Sequence, residues 1–182
     1  MSHHRVLLLS GGLDSTALLV TGHPDLSVFI DYGQPAAAQE RAASSRMADR
    51  FDIEWREIVV RGVKLGRMAD APGISGPRFV QARNAFLISL AANICDGPGC
   101  VLYGAHLGDA ENYPDCREDF VSAMCLALGT YGVAVQAPYI NKPRSVVLED
   151  LRECGIEFNT LWSCYYPLAN EPCGKCDSCL SR

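Results

Sequence analysis

Two kinds of stretch alternate along this 182-residue chain. Short runs rich in Val, Ile and Leu predict β-strands, and longer segments with apolar residues at helical spacing, or rich in alanine, predict helices between them. The predicted strands span residues 5–9, 27–31, 55–60, 100–105 and 133–137. The predicted helices span residues 14–21, 35–50, 82–95, 117–128 and 144–154. This alternation predicts an α/β fold with a mostly parallel sheet, helices on both faces, and ligands bound beyond the carboxyl ends of the strands.

The length and net charge of the chain limit the number of domains and the kinds of partner that it can have. The chain is long enough for one domain with a small appendage. Its 21 acidic residues outnumber its 16 basic residues, for a net charge of −5. We therefore expect no nucleic-acid partner, because sequence-independent binding to a phosphate backbone needs a basic face. The sequence has no run of about 18 apolar residues and starts without a signal-peptide pattern, so we expect a cytoplasmic protein that binds no membrane.

The first predicted strand ends in a turn with the sequence LLSGGLDSTA at residues 8–17. Such a turn presents unpaired backbone N–H groups at the start of a helix, and glycines let an anion approach them closely. We predict that it binds phosphate, although it matches neither a P-loop nor the dinucleotide fingerprint. The predicted phosphate-binding residues are Leu9, Ser10, Gly11, Gly12, Leu13, Asp14, Ser15 and Thr16, three of which add hydroxyl donors. Residues 10–16 are called the elbow below.

Asp14 brings a negative charge into this turn. A carboxylate beside phosphates repels them unless Mg²⁺ lies between the two groups, or unless the side chain caps the helix instead. The sequence leaves both alternatives open.

Four of the nine cysteines are grouped in the spacing C-x8-C-x2-C-x2-C. They are Cys164, Cys173, Cys176 and Cys179. Four thiolates in so short a span suit a tetrahedral, structural Zn²⁺ with no position open for water; a disulfide pair and an iron–sulfur cluster are the alternatives. We expect residues 161–182 to form a zinc-binding segment packed on a domain of residues 1–160.

Several short motifs resemble a known family. The residues SGGLDS at 10–15 resemble the pyrophosphate loop (PP-loop) of the N-type ATP pyrophosphatases, enzymes that adenylate a carboxyl, amide or ring carbonyl and expel pyrophosphate. IDYGQ at 30–34, FVQARN at 79–84, YPDCR at 113–117 and the four cysteines follow. In this order, and across nearly the whole chain, they resemble the 7-cyano-7-deazaguanine synthase (QueC) family.

The resemblance implies a Rossmann-like fold of the adenine nucleotide alpha hydrolase type and an ATP-dependent ligase of queuosine biosynthesis. Such an enzyme adenylates 7-carboxy-7-deazaguanine, releases pyrophosphate, forms the amide with ammonia, and reaches the nitrile after a second adenylation and dehydration. ATP, Mg²⁺ and Zn²⁺ are the implied cofactors, and the deazapurine and ammonia are the implied substrates. A homodimer and a protein partner stay open.

The chemistry of this reaction suggests candidate catalytic and nucleotide-binding residues. The candidate catalytic residues are Asp14, Ser15, Arg83 and Lys142, the two cations offsetting charge that grows on phosphate or adenylate. Alternatively, Arg83 and Lys142 are ordinary surface charges without a catalytic role. Asp31, Tyr32 and Gly33 lie at the end of the second predicted strand, where an adenosine would lie across the point at which the strand order reverses.

The candidate residues for the deazapurine lie in three separate segments. They are Asn84, Gly104, Asp109, Tyr113, Pro114, Asp115 and Arg117. In this hypothesis Tyr113 stacks on the base, Asp115 accepts hydrogen bonds from its guanine-like edge, and Arg117 holds a carboxylate or the next helix. We interpret Cys116 as a buried small residue rather than a nucleophile, because no histidine adjoins it.

Some positions depart from the family pattern. Ala36 stands where the family usually has a histidine, and Gln81 and Ala82 replace its proline and glycine. The loop at 61–77 is also shorter than expected. These departures keep two alternatives open. The first is a QueC-like paralogue, of the sort found beside antiphage defence genes, that joins the adenylated carboxyl to an amine of a protein or another molecule. The second is a zinc-stabilised nucleotide-binding module without turnover.

Overall fold

The computed structural model describes residues 4–62 and 80–180. Five parallel strands form one sheet in the order β3-β2-β1-β4-β5. The strands are β1 Arg5–Leu8, β2 Leu26–Asp31, β3 Glu54–Val59, β4 Gly99–Leu102 and β5 Val133–Gln136. The chain order reverses between β1 and β4, and such a switch point is where open α/β sheets bind ligands. The predicted α/β fold is confirmed.

Helices connect the strands as the apolar spacing predicts. They are α1 Leu13–Thr21, α2 Ala37–Arg50, α3 Arg83–Ile94, α4 Glu118–Gly129, α5 Arg144–Glu153 and the short α6 Asp177–Leu180. Three 3-10 turns, at Leu107–Glu111, Pro114–Cys116 and Phe158–Thr160, have no counterpart in the sequence prediction. Most of the predicted loop at 61–77, and Phe79 of the FVQARN motif, lie outside the described residues.

The sheet buries an apolar layer on each face. Leu7 packs on one face with Leu18 of α1 and Leu151 of α5, and Val101 packs on the other with Ile88 of α3; all five side chains are fully buried. This division follows from the alternation of side chains along each strand. Within residues 4–62 and 80–180, no helix has the length and apolar character needed to cross a membrane.

β4 is shorter than predicted, because it ends at Leu102 rather than near residue 105. The backbone N–H of Tyr103 still donates to the carbonyl of Gln136, at 3.1 Å, but the chain then passes beside the elbow. A Cβ atom on Gly104 would lie 2.9 Å from Cβ of Asp14 and 3.0 Å from the backbone nitrogen of Ser15. The close approach of β4 to α1 therefore requires glycine at this position.

Gly11→Ala is expected to destabilise the fold by about 2–4 kcal/mol. Gly11 has φ of +78°, and an added Cβ would lie 2.6 Å from Cβ of Ala43 and 2.7 Å from the backbone nitrogen of Ser44. The variant would meet both backbone strain and overlap with α2. Urea unfolding measures the change, and Gly97→Ala is the control, since Gly97 has φ of +87° with nothing within 4 Å of its Cβ position. An equal loss of unfolding free energy in both variants would show that overlap with α2 does not contribute to the destabilisation.

Candidate active site

The elbow joins β1 to α1 at the carboxyl edge of the sheet. Gly12 is the N-cap of α1 and receives no side-chain cap, so the first backbone N–H groups of the helix are presented at the turn. The hydroxyl of Ser10 lies 3.1 Å from the hydroxyl of Ser15, and the Ser15 hydroxyl donates to the carbonyl of Gly12 at 3.3 Å. Thr16 is fully buried behind them. Amide and hydroxyl donors thus converge at the elbow, an arrangement that suits an anion.

Asp14 does not cap α1, because it is the second residue of that helix rather than the residue before it. Its Oδ1 atom is buried without a hydrogen-bond partner among the described residues. Burial raises the pKa of the Asp14 carboxyl, His106 and Arg144 oppose the rise, and Asp109 adds to it. An orphaned carboxylate oxygen beside an anion-binding turn is a fitting ligand for Mg²⁺, which prefers carboxylate oxygens.

One side of the elbow opens into a first compartment of about 260 Å³. Its walls include Leu8, Val28, Phe29, Ile30, Tyr32, Arg83, Asn84 and Gly104. The strand residues supply an apolar wall, and the side chains from the following loop and from α3 supply polar groups. An apolar wall with a few polar groups is typical of a small-molecule site.

The other side of the elbow opens into a second compartment of about 570 Å³. Its walls include His106, Asn112, Arg144, Trp162, Ser163, Asp177 and Ser178. Seven residues line both compartments: Ser10, Gly12, Asp14, Glu40, Asp109, Tyr113 and Tyr165. The two compartments therefore meet at the elbow and at Asp14.

Glu40 is a site residue that the sequence motifs do not indicate. Its Oε2 accepts a hydrogen bond from Nε2 of Gln34 at 2.8 Å, and the same amide group donates to the carbonyl of Ile30 at 3.1 Å. Oε1 of Gln34 accepts from the backbone N–H of Tyr32 at 3.0 Å. Burial raises the pKa of Glu40, while the Gln34 hydrogen bond and Arg83 oppose that rise. Gln34 of the IDYGQ motif thus orients a carboxylate from α2 toward the compartments.

Some predicted site residues line a compartment and others do not. Tyr32, Arg83, Asn84 and Gly104 line the first compartment, and Asp109 and Tyr113 line both. Leu9 and Leu13 are also part of the buried core.

The carboxylate of Asp31 is engaged within the protein. It accepts hydrogen bonds from the backbone N–H of Gly33 at 3.0 Å and from Arg41 at 2.7 Å, and Arg61 lies 3.5 Å away. Burial alone would raise the pKa of Asp31, but these partners outweigh it and lower the pKa below its ordinary value. Asp31 and Gly33 do not line either compartment, so Asp31 shapes the loop that carries Tyr32.

Lys142, Pro114, Asp115 and Arg117 also lie outside both linings. Lys142 is exposed, with its ammonium group 5.1 Å from the centre of the Tyr139 ring, whereas Arg144 reaches the second compartment. Asp115 is buried, and its carbonyl accepts from the hydroxyl of Tyr103 at 3.1 Å. Nε of Arg117 donates to the carbonyl of Ala110 at 2.8 Å. The last two residues hold the 3-10 turns that present Asp109 and Tyr113.

One departure from the family pattern, Ala82, directly precedes the site residue Arg83, and Cys116 of the YPDCR motif lines the first compartment. Ala82 has φ of +58°, the left-handed conformation that glycine adopts without strain, so the backbone keeps a glycine-type shape despite the alanine. Cys116, interpreted as a buried small residue, is 7% exposed, and burial raises the pKa of its thiol to about 12. That thiol is therefore protonated at neutral pH and unsuited to nucleophilic attack.

The four predicted metal-binding cysteines come together. Their Sγ atoms all lie within 4.8 Å of one another, with 3.9 Å between Cys173 and Cys179 and 4.0 Å between Cys164 and Cys176. A tetrahedral ion with metal–sulfur bonds of about 2.3 Å places its thiolates about 3.8 Å apart. All nine cysteines are free thiols in the structure. The group could hold a single metal ion, whereas a four-iron cluster spreads its thiolates over separate iron atoms, farther apart.

One cysteine of the site, Cys173, favours the thiolate, whereas burial raises the pKa of Cys164 and raises that of Cys179 to about 12. Burial disfavours the charged form of Cys173, but backbone N–H groups of Lys175 and Cys176 point at its sulfur and lower its pKa to about 6. These N–H groups lie 3.5 and 3.4 Å from the sulfur. The charged form is the one that binds metal.

A parallel sheet in the order 3-2-1-4-5, with a glycine elbow after β1 and two compartments meeting there, defines a Rossmann-like α/β protein with a candidate ligand site at its switch point. The U34-tRNA thiolase NcsA from Methanococcus maripaludis, solved with its [4Fe-4S] cluster, has a similar fold, with a TM-score of 0.58 and 14% identity over 91% of this chain and 61% of that one. Residues 4–182 match the model of a narrower family, described as queuosine biosynthesis protein QueC. The chain belongs to the QueC family, as its motifs predict.

Relatives in this family match over nearly their whole length. The 7-cyano-7-deazaguanine synthase of Thermoplasma acidophilum is 30% identical, over 97% of this chain and 84% of the relative. The enzyme of the same name from Marinobacter nauticus is 30% identical, over 100% of this chain and 91% of the relative. That second alignment spans 203 positions, more than the 182 residues present here, so the relative has residues without a counterpart in this chain.

Proposed function

We propose that this protein is an ATP-dependent 7-cyano-7-deazaguanine synthase. It adenylates the carboxyl group of 7-carboxy-7-deazaguanine with release of pyrophosphate, and it converts the product with ammonia through the amide to the nitrile. The observation that carries this proposal is the elbow, which lies where the two compartments meet. A reaction that joins a nucleotide to a second small molecule requires both ligands to meet at the phosphate.

In this proposal the elbow binds the pyrophosphate portion of ATP. The backbone N–H groups at the start of α1 and the hydroxyls of Ser10 and Ser15 donate hydrogen bonds to its oxygens. Asp14 would hold Mg²⁺, which supplies neutralisation of phosphate charge when bound. Glu40 and Asp109 line the same junction and are the further carboxylates available there.

In this proposal each compartment binds a different part of the reacting pair, ATP or the deazapurine. The apolar strand residues and Tyr32 of the first compartment suit the adenosine, and Arg83 of the same wall offsets negative charge on the α-phosphate. The second compartment, lined by more polar side chains, receives the deazapurine. The carboxylate of the substrate then attacks the α-phosphorus, and pyrophosphate leaves on the side of the elbow.

We propose that the cysteine site binds Zn²⁺. Four sulfurs within 4.8 Å of one another match tetrahedral coordination, and a closed four-thiolate shell leaves no position for a reacting water. The ion therefore holds the segment that bears it and takes no part in bond making.

The reaction itself is tested with ATP, Mg²⁺, 7-carboxy-7-deazaguanine and ammonium. We expect pyrophosphate release that depends on the deazapurine, and a nitrile product by mass spectrometry with one pyrophosphate for each of two activation steps. The control omits ammonium, which should leave the adenylated intermediate and no nitrile.

Two outcomes would contradict the proposal in different ways. Pyrophosphate release without any nitrile would indicate transfer of the activated carboxyl to another amine, as in the paralogue hypothesis. Binding of ATP with no pyrophosphate release for any deazapurine would indicate a nucleotide-binding module without turnover.

A further inference from the structure

The segment that bears the metal ligands, residues 162–179, is also a wall of the second compartment. Ser163 and Tyr165 flank the ligand Cys164, and Asp177 and Ser178 lie between the ligands Cys176 and Cys179. All four of these flanking residues line the second compartment. The segment therefore presents side chains to the site in the gaps between its cysteines.

Contacts fix this wall to the elbow as well as to the cysteine site. The backbone N–H of Trp162 donates to the carbonyl of Gly11 at 2.9 Å. The indole N–H of Trp162 donates to the carbonyl of Cys164, also at 2.9 Å. Ser163 lies between these two anchors, so the position of its side chain is set from both sides.

Two side chains on this wall, Ser163 and Asp177, have polar atoms without a hydrogen-bond partner among the described residues. Oγ of Ser163 is buried without a hydrogen-bond partner among the described residues. A buried hydroxyl without a partner is unfavourable, so a ligand that forms a hydrogen bond with it gains affinity. The carboxylate of Asp177 forms no hydrogen bond or ion pair within residues 4–62 and 80–180, and it stands at the exposed rim of the compartment.

The other carboxylates that line this compartment either accept hydrogen bonds within the protein or lie at the elbow. Asp109 accepts a hydrogen bond from the backbone N–H of His106 at 3.0 Å, and Glu40 accepts one from Gln34 at 2.8 Å. Asp14 lies at the elbow, where phosphate and its metal ion are expected. Asp177 is therefore the carboxylate best placed for the part of the ligand that is far from the phosphate.

We propose that Ser163 and Asp177 recognise the amino-pyrimidinone edge of the deazapurine. This edge offers two adjacent donors, the ring N1–H and the exocyclic 2-amino group, beside one carbonyl acceptor. A carboxylate accepts from both donors at once, and a serine hydroxyl donates to the carbonyl. The inference rests on the proposed function, and it assigns base recognition to the cysteine-bearing segment rather than to Asp115.

The test compares two substrates across matched variants. The substrates are 7-carboxy-7-deazaguanine and its analogue without the 2-amino group, and the readout is KM and kcat for pyrophosphate release. Asp177→Asn is matched by Glu171→Gln, an exposed carboxylate of the same segment that lines neither compartment. Ser163→Ala is matched by Ser122→Ala on the exposed side of α4.

Asp177→Asn should raise KM for the guanine-type substrate about 10–100-fold and abolish its preference over the analogue. Ser163→Ala should raise KM for both substrates about 10-fold, because both retain the carbonyl. KM for ATP should change less than about two-fold in every variant, and metal content and melting temperature should match wild type. If the two residues had a purely structural role, KM for ATP, metal content or melting temperature would change together with KM for the deazapurine substrates.

Two results would overturn the inference. One is an unchanged preference between the two substrates in Asp177→Asn with unchanged KM in Ser163→Ala. The other is a parallel loss of ATP affinity in these variants. Failure of the proposed function is seen separately, since in that case the wild-type protein itself releases no pyrophosphate with 7-carboxy-7-deazaguanine.

Discussion

Replacing Asp14 with asparagine is expected to lower the rate of pyrophosphate release by about 10³-fold while making the ligand-free protein more stable at neutral pH. The loss of rate follows from the buried Oδ1 atom, which has no partner among the described residues and lies where phosphate and its metal ion are expected. An amide has the same shape but lacks the charge that a divalent cation requires.

The gain in stability follows from the direction of the pKa shift. Burial raises the pKa of Asp14 in the folded protein, so the folded state binds the proton more tightly than the unfolded chain does. The stability contributed by the protonated form is present at low pH and is lost as the pH rises through the folded pKa. Asparagine stays neutral, so its advantage in melting temperature over wild type should grow as the pH rises above the ordinary aspartate pKa of 3.8 and level off above the raised pKa of the folded protein.

Activity assays and thermal unfolding check both halves of this prediction. The control is Asp96→Asn, an exposed carboxylate in the loop before β4, which should change neither quantity. Full activity in Asp14→Asn would mean that the metal ion is held elsewhere. A lower melting temperature at neutral pH would mean that the ionised carboxylate stabilises the fold.

The second large effect is expected for Cys176→Ser, which should lose the bound metal and most of the soluble protein together. Cys176 is 1% exposed and its sulfur lies 4.0 Å from that of Cys164. A structural zinc site contributes on the order of 10–16 kcal/mol of binding energy, and removal of one of its four thiolates weakens metal binding strongly. Among the described residues, none of residues 162–179 belongs to either buried apolar cluster of the sheet, so the ion is expected to supply much of their attachment.

Elemental analysis, soluble yield and circular dichroism measure this second effect. Cys154→Ser is the matched control, because Cys154 is exposed and does not belong to the cysteine site. It should keep one equivalent of metal and normal yield. A soluble Cys176→Ser protein with a full equivalent of metal would contradict the assignment of the four ligands.

The fold and the elbow could be predicted from the sequence because local patterns determine them. Apolar runs such as RVLL and LSVFID are short enough to favour buried strands over helices, and the glycines of the elbow precede the first helix directly. The cysteines could be predicted for the same reason, since three of the four lie within seven residues of sequence.

The far side of the site could not be predicted, because its residues come from distant segments without a local signal. Glu40 is an ordinary helical glutamate until Gln34 orients it, and Ser163 and Tyr165 reach the site only through the fold of the cysteine-bearing segment. The sequence identified the loop after β5 but favoured Lys142, whereas Arg144 at the start of α5 reaches the second compartment. Side-chain direction, which spacing alone does not give, decides between two such cations.

The hydrogen bond between Trp162 and Gly11 has a consequence for biosynthesis. During translation all five strands leave the ribosome before residues 162–179 do. The elbow can therefore form before Trp162 is available to donate to the carbonyl of Gly11. Because Tyr165 lines both compartments, both are completed only when residues 162–179 fold against the finished sheet.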